Sequence, residues 1–456
     1  MRLPSSFRDP DGWVFTREGE LYRQIDRPYQ PHYDRLMSSG LYEALVRAEL
    51  LVPHEEVSLA PERPETCYKV LKPERLPFIS YPYEWCFSQL KQQALALLNV
   101  QKTALNHGMS LRDATAFNMQ FRRGRPALMD TSSFEVYDEG RPWVAYRQFC
   151  QHFLAPLLLI RYRHAELGKL SRVHLDGVPL DLASGLLPLR ARLRPAVLAH
   201  IVMHAALQKS YASRRDVHLR PVSKRAILGL LDSLESAVAR LEWRPKETAW
   251  SGYYEHTNYS AEALAQKRAI VAEFLDRLKP ANVWDLGGST GMFSRIASEK
   301  GAFTVSLDSD PVSVERNYLD AVSRRDERLL PLVMDLMNPS PACGWAEGER
   351  QSLSERGPAE AALALALVHH LAIANNVPLG HIAQWLSATC RSLIIEFVPK
   401  EDSQVQTLLA TRKDIFDEYA QPQFEARFRE RFRILEVRPI PGSRRSLYLM
   451  QKGSEK

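Results

Sequence analysis

The sequence predicts an α/β protein. A doubly wound, mostly parallel sheet is expected over residues 246–456, behind an α+β domain with a helical C-terminal part over residues 1–245. Three observations carry this reading. Short apolar runs alternate with helical patterns through the C-terminal half. A glycine-rich turn, Gly287-Gly288-Ser289-Thr290-Gly291, joins the first of those runs to the first helix. Finally, Trp243-Arg244-Pro245-Lys246 closes a long helical run with a proline, as a domain boundary does.

At 456 residues the chain has room for two or three domains, and 45% hydrophobic with 25% charged residues is ordinary for a folded protein. No apolar run approaches the roughly 20 residues that span a bilayer; Pro156 interrupts one of the longest, Phe153 to Ile160. The segment Met1 to Asp9 lacks the apolar core of a signal peptide. The cysteines (67, 86, 150, 343, 390) show neither C-x-x-C spacing nor a disulfide framework. A cytoplasmic protein with no membrane span is expected.

The charge is uneven. From Arg141 to Lys246, 18 Lys and Arg stand against 7 Asp and Glu, an excess of +11 in a chain of net +6, so the remainder carries −5. A basic middle is compatible with a polyanion. However, Arg161, Arg163, Arg190, Arg192 and Arg194 are interleaved with apolar residues, as on solvated faces of amphipathic helices. Nucleic acid is not the expected partner.

Within the N-terminal half, Leu41 to Val46 reads as helix, and Cys67 to Leu71 and Phe78 to Tyr81 as strands. Glu84 to Val100 reads as a helix with Trp85, Phe87, Leu90, Ala94, Leu97 and Leu98 at core spacing. Asp113 and Asn118 then stand five apart, before a hairpin turn at Arg123-Gly124-Arg125 and a returning strand ending on Asp130. This arrangement resembles the catalytic loop and metal-binding segment of protein-kinase-like phosphotransferases. The resemblance implies an acceptor-orienting Asp113, with Asn118 and Asp130 holding Mg-ATP, and Lys69 with Glu84 as a supporting ion pair. The chain departs from that pattern in two places. Gly12, Gly19 and Gly40 are the only glycines before Lys69 and form no glycine-rich loop, and Thr131-Ser132-Ser133 follows Asp130. The alternative is a mixed α/β domain that positions a substrate or partner. Helices dominate from Trp143 to about Leu241; His200 and His204 lie four apart there, but Ile201 stands where a zinc protease has glutamate, so two packed or exposed histidines are expected rather than a metal site.

In the C-terminal half, Ser260 opens a helix to Leu278 with Glu262 in its first turn. The short apolar run from Val283 is the first strand and ends on Asp285; Thr304 to Asp308 is the second, its Asp308 lying 23 residues beyond Asp285. An acid at that strand tip suits a nucleotide ribose, and the glycines let the backbone approach a ligand at a helix N-terminus. Leu330 to Asp335 reads as the third strand, Ala361 to Val368 as a buried fourth, and Leu393 to Phe397 as the fifth; Phe432 to Val437 and Ser446 to Met450 form the closing pair.

Asp285-Leu286-Gly287-Gly288-Ser289-Thr290-Gly291 resembles the first motif of class I S-adenosylmethionine-dependent methyltransferases, with a Rossmann-like sheet, although Ser289 takes the place of its middle glycine. The resemblance implies a site lined by Asp285, Gly287, Gly288, Ser289 and Gly291, a ribose held by Asp308 and an adenine edge met by Asp335. His369-His370-Leu371 resembles the fourth motif of many small-molecule methyltransferases, which makes His369 and His370 candidates for a base. Tyr254, Tyr259 and Lys267 belong to a segment that folds over the pocket in such enzymes. With Tyr81-Pro82-Tyr83-Glu84-Trp85 and Arg112-Asp113-Ala114-Thr115-Ala116-Phe117-Asn118 ahead of this half, the chain over most of its length resembles a bacterial family related to nodulation protein NoeA. That resemblance implies a methyltransferase acting on a small metabolite or glycan. Two other readings remain: a bifunctional protein whose N-terminal domain binds Mg-ATP, and a cofactor-binding regulatory protein without turnover. Acceptor atom and oligomeric state are not legible in the sequence.

Overall fold

In the computed structural model, residues 3–4, 6–206, 221–245, 259–410 and 412–453 are described. The chain packs as two units. One comprises Met1–Arg244 with Cys343–Arg350, the other Pro245–Ala342 with Gln351–Lys456. The return of residues 343–350 to the first unit is not foreseeable from the boundary at Pro245. It is held there by Arg8, which donates to Glu349 Oε1 at 2.7 Å, and by Arg350, whose guanidinium lies 4.4 Å from the Phe117 ring centre.

The first unit begins with four strands, β1 (Gly12–Arg17), β2 (Glu20–Asp26), β3 (His54–Glu56) and β4 (Cys67–Pro73), in the antiparallel order β1-β2-β4-β3. Helices α1 (Gln30–Ser38) and α2 (Leu41–Arg47) fill the crossing from β2 to β3. Helix α3 (Phe87–Asn106) buries Leu90, Ala94, Leu97, Gln101 and Leu105, a three-to-four residue spacing that lays one face against the core. Beyond it β5 (Met109–Leu111) pairs antiparallel with β8 (Phe134–Val136), and between them lies the hairpin β6 (Met119–Arg122) and β7 (Arg125–Leu128). Arg123 and Gly124 both take positive φ at its turn, the conformation that matches the twist of two paired strands. Short helical pieces follow to residue 206, and α4 (Lys224–Ala239) lies beyond.

Two expectations for this unit need correction. Phe78 to Tyr81 is not a strand; the side-chain amide of Gln120 bonds both backbone groups of Ser80 (3.0 and 2.8 Å), doing the work of a strand partner. The helix expected from Glu84 starts at Phe87, because a short turn, Pro82–Glu84, precedes it and the Glu84 carboxylate accepts from the Tyr81 N–H at 2.9 Å.

The second unit is a single seven-stranded sheet. After α5 (Ala261–Leu278) come β9 (Asn282–Leu286), α6 (Met292–Glu299), β10 (Phe303–Asp308), α7 (Pro311–Arg324) and β11 (Leu329–Val333). Next stand β12 (Ala359–Ala364), α8 (Leu379–Thr389), β13 (Cys390–Phe397), α9 (Ser403–Leu409), α10 (Gln421–Arg429), β14 (Phe432–Pro439) and β15 (Ser446–Lys452). The order is β11-β10-β9-β12-β13-β15-β14, with β15 running antiparallel to both neighbours and the first five strands parallel. This is the order and direction that the resemblance to class I methyltransferases implies. Its order reverses between β9 and β12, and at such a switch point the carboxyl ends of the strands leave a crevice for a ligand.

Two strands end earlier than their apolar runs. β12 stops at Ala364 because Ala366 turns into the left-handed region (φ +50°) and gives its N–H to the Glu396 carboxylate at 2.8 Å. β11 stops at Val333, and the Asp335 side chain caps a turn instead, accepting from the Met337 N–H at 2.9 Å.

Candidate cofactor site

The loop after β9 is tied to the tip of β10. Gly287 and Gly288 both donate to the Leu307 carbonyl (2.8 and 3.0 Å), and Ser289 N–H donates to Asp308 Oδ2 at 2.8 Å. Gly287, Ser289 and Gly291 all have positive φ, so the loop curls inward before α6 begins. A Cβ on Gly291 would lie 2.0 Å from Asn317 Oδ1, and one on Gly288 would lie 2.2 Å from Ser306 Oγ. Glycine is therefore required at these two positions by packing behind the loop, while the loop's open side faces a cavity.

That cavity, about 300 Å³, sits at the crevice the sheet order leaves. Of the residues singled out from the sequence, Lys267, Asp285, Gly287, Gly288, Ser289, Asp308, Asp335 and His370 line it together. Gly291, Tyr259 and His369 are not in its lining. Tyr259 is the first described residue after 246–258; Tyr254 and the rest of that aromatic segment lie outside the described residues. Tyr259 hydroxyl donates to Glu396, one layer behind the wall. His369 is buried with its ring 4.1 Å from that of His370. Apolar residues missed by sequence reasoning complete the wall, among them Phe293, Leu367, Met337 and Leu408.

The electrostatics follow from burial. Both Asp285 and Asp308 are pushed up to about 6 by desolvation, against hydrogen bonds from Ser294 to the first and from the Asp310 and Ser289 N–H groups to the second. Burial lowers His370 to about 4, and His369 well below the ordinary imidazole value, so both rings are neutral at pH 7. Glu396, fully buried, is opposed by burial but held below its usual range by Lys267 and Arg445, and stays ionised. Lys267 Nζ lies 2.6 Å from Glu396 Oε2, an ion pair no sequence spacing announces across 129 residues.

No family model matches the chain. Nodulation protein NoeA of Rhizobium meliloti (strain 1021) is 37% identical over 460 residues, spanning 99% of this chain and 96% of that protein. The chain belongs to the NoeA family. Among solved structures, the N-methyltransferase NodS from Bradyrhizobium japonicum WM9 aligns to 43% of this NoeA-family chain and 99% of its own, at 10% identity and TM-score 0.33. Magnesium protoporphyrin IX methyltransferase from Synechocystis PCC 6803 with bound SAM aligns to 46% of this chain and 87% of its own, at 12% identity and TM-score 0.30. The bifunctional kinase-methyltransferase WbdD aligns to 45% of this chain and 43% of its own, at 16% identity and TM-score 0.31. Scores at this level carry no role over to the NoeA-family chain.

In the first unit of this NoeA-family chain, Asp113, Asn118 and Asp130 are brought together. Asn118 Nδ2 donates to Asp113 Oδ2 (3.1 Å) and to Ser133 Oγ (3.2 Å), and Ser133 Oγ donates to Asp130 Oδ2 (2.7 Å). The expected Lys69–Glu84 pair does not form: Lys69 Nζ pairs with Glu56 at 2.6 Å and Glu84 faces the Tyr81 backbone. The cation beside Asp130 is Arg23, from β2, at 2.8 Å, which also reaches Asp9 at 2.6 Å. Burial pushes Asp130 up, yet Arg23 and the hydroxyls of Ser133 and Ser132 outweigh it and hold the carboxyl below its usual range. Asp113 is raised, by burial first. His200 is bonded between Tyr146 and Ser233 (2.8 and 2.9 Å) and His204 stacks on Tyr146, so both rings are packed against neighbours. Among the described residues no group of three or more His, Cys, Asp or Glu side chains is placed to hold a metal ion. No helix of the described residues is long and apolar enough to cross a membrane.

Proposed function

We propose that the second unit binds S-adenosylmethionine and transfers its methyl group to a small-molecule or glycan acceptor. The observation that carries this reading is the cavity at the switch point, where Asp285, the inward-curled loop 287–291 and Asp308 meet. The cavity walls also hold a buried hydroxyl, Ser289 Oγ, with no hydrogen-bond partner among the described residues, which a polar ligand group would satisfy. S-adenosylmethionine supplies an electrophilic methyl on a sulfonium sulfur. The chain's own task is alignment and the exclusion of water.

Each residue has a share in that task. Asp308 Oδ1 and Oδ2 both accept backbone N–H groups, which fixes the carboxylate and leaves it lone pairs for ribose hydroxyls. Lys267 places an ammonium in the wall for a carboxylate, and Asp285 places a carboxylate for an ammonium. Asp335, at the turn after β11, serves the adenine edge. His370, neutral in the wall beside Leu371 and Asn375, stands on the acceptor side, where a neutral imidazole receives a proton or a hydrogen bond. His369, behind it, orients that ring by contact.

Calorimetric titration with S-adenosylhomocysteine tests this. Wild type is expected to bind, and Asp308→Ala to bind at least tenfold more weakly, about 1.4 kcal/mol or more. A folded wild type that gives no heat would remove the reading.

A further inference from the structure

Behind the cavity wall, Lys267 is backed by a buried ionic brace whose members Glu396, Arg445 and Asp402 have no share in the alignment above. Arg445, on the turn between β14 and β15, is 1% exposed. Its guanidinium grips both oxygens of Asp402 (2.7 and 3.0 Å), and its Nη1 donates to Tyr259 Oη (3.1 Å) and Glu396 Oε1 (3.4 Å). The other Glu396 oxygen accepts from Lys267 Nζ and from the N–H of Ala366. The ends of this chain of charges reach different parts of the cavity. Asp402 caps α9, accepting from the Gln404 N–H at 2.9 Å, and α9 carries Leu408 into the lining; Lys267 and Ala366 line it at the other end of the brace.

We infer that Arg445 is a positioning residue that couples cofactor binding at Lys267 to the α9 wall of the cavity. The inference rests on the methyltransferase reading above. A carboxylate arriving at Lys267 draws its ammonium away from Glu396, and Arg445 then becomes the main cation for that buried carboxylate. Buried charges do not tolerate a lost partner, so the change is passed on as a shift of the guanidinium rather than absorbed by water. Because the same guanidinium holds the Asp402 cap, α9 feels the shift.

Hydrogen exchange of the α9 amides, with and without S-adenosylhomocysteine, tests the coupling in wild type, Arg445→Met and Arg445→Lys. In wild type the ligand is expected to slow exchange over residues 403–409 by about tenfold, within the usual range of coupling between sites. Arg445→Met should still bind the ligand by calorimetry but lose that protection, and Arg445→Lys should restore part of it. Protection that survives in Arg445→Met, or none in ligand-bound wild type, would overturn the coupling while leaving cofactor binding in place. A wild type that does not bind removes both. Should Arg445→Met fail to fold, Asp402→Asn cuts the same link at α9 and the same readout decides.

Discussion

Asp285 and Asp308 are carboxyls kept near 6 by burial in the cavity wall. Since each folded-state value lies above the ordinary one, these groups favour the ligand-free fold at low pH and lose that contribution as pH rises from about 4 through 6. Cofactor binding has the opposite sign, because hydroxyls and an ammonium need the ionised carboxylates. S-adenosylhomocysteine affinity is therefore expected to fall as pH drops below 6, approaching about tenfold per unit for each proton displaced, and to be flat above 7. Calorimetry between pH 5 and 8 checks this, and affinity independent of pH would count against the role of these carboxylates. Both acids are legible in the sequence through their distance from the glycines. Arg445 and Arg23 are not, because their partners Asp402 and Asp130 lie 43 and 107 residues away and no local pattern marks them.

At the scale of the element, the start of α6 is the sensitive point. Gly291 is its N-cap, with φ +81° and no room for a methyl beside Asn317, whose amide holds Ser306 Oγ at 3.0 Å. Gly291→Ala combines a left-handed backbone with an overpacked site, so a loss of about 2 kcal/mol or more is expected from urea unfolding. The loss of the fixed loop should weaken S-adenosylhomocysteine as well. Unchanged stability would mean that Asn317 moves aside without cost. Strand ends show why element boundaries were harder to read than elements. Ala361 to Val368 is one apolar run, but a distant Glu396 ends the strand inside it by claiming the Ala366 N–H.

Across the whole molecule, the first unit presents the Asp113, Asn118 and Asp130 set with its carboxylates already bonded to Arg23, Ser132, Ser133, Thr115 and Asn118. Thermal unfolding is therefore expected to be unmoved by Mg-ATP, whereas S-adenosylhomocysteine at about 100 times its Kd should add about 2.7 kcal/mol, several degrees for a domain of this size. A Mg-dependent rise with ATP would show that Arg23 yields Asp130 to a metal, and would return the phosphotransferase reading.

By itself, the sequence determined the alternation of strand and helix, the glycine loop and the two acids on either side of it. Those features depend on periodicity and on residues near one another along the chain, and the backbone obeys them wherever they occur. Only the tertiary structure decided which distant charges meet. Lys267 with Glu396, Arg445 with Asp402, Arg23 with Asp130, and residues 343–350 with the first unit are pairings set by how layers stack. A buried ion takes whichever partner the packing brings within hydrogen-bond reach.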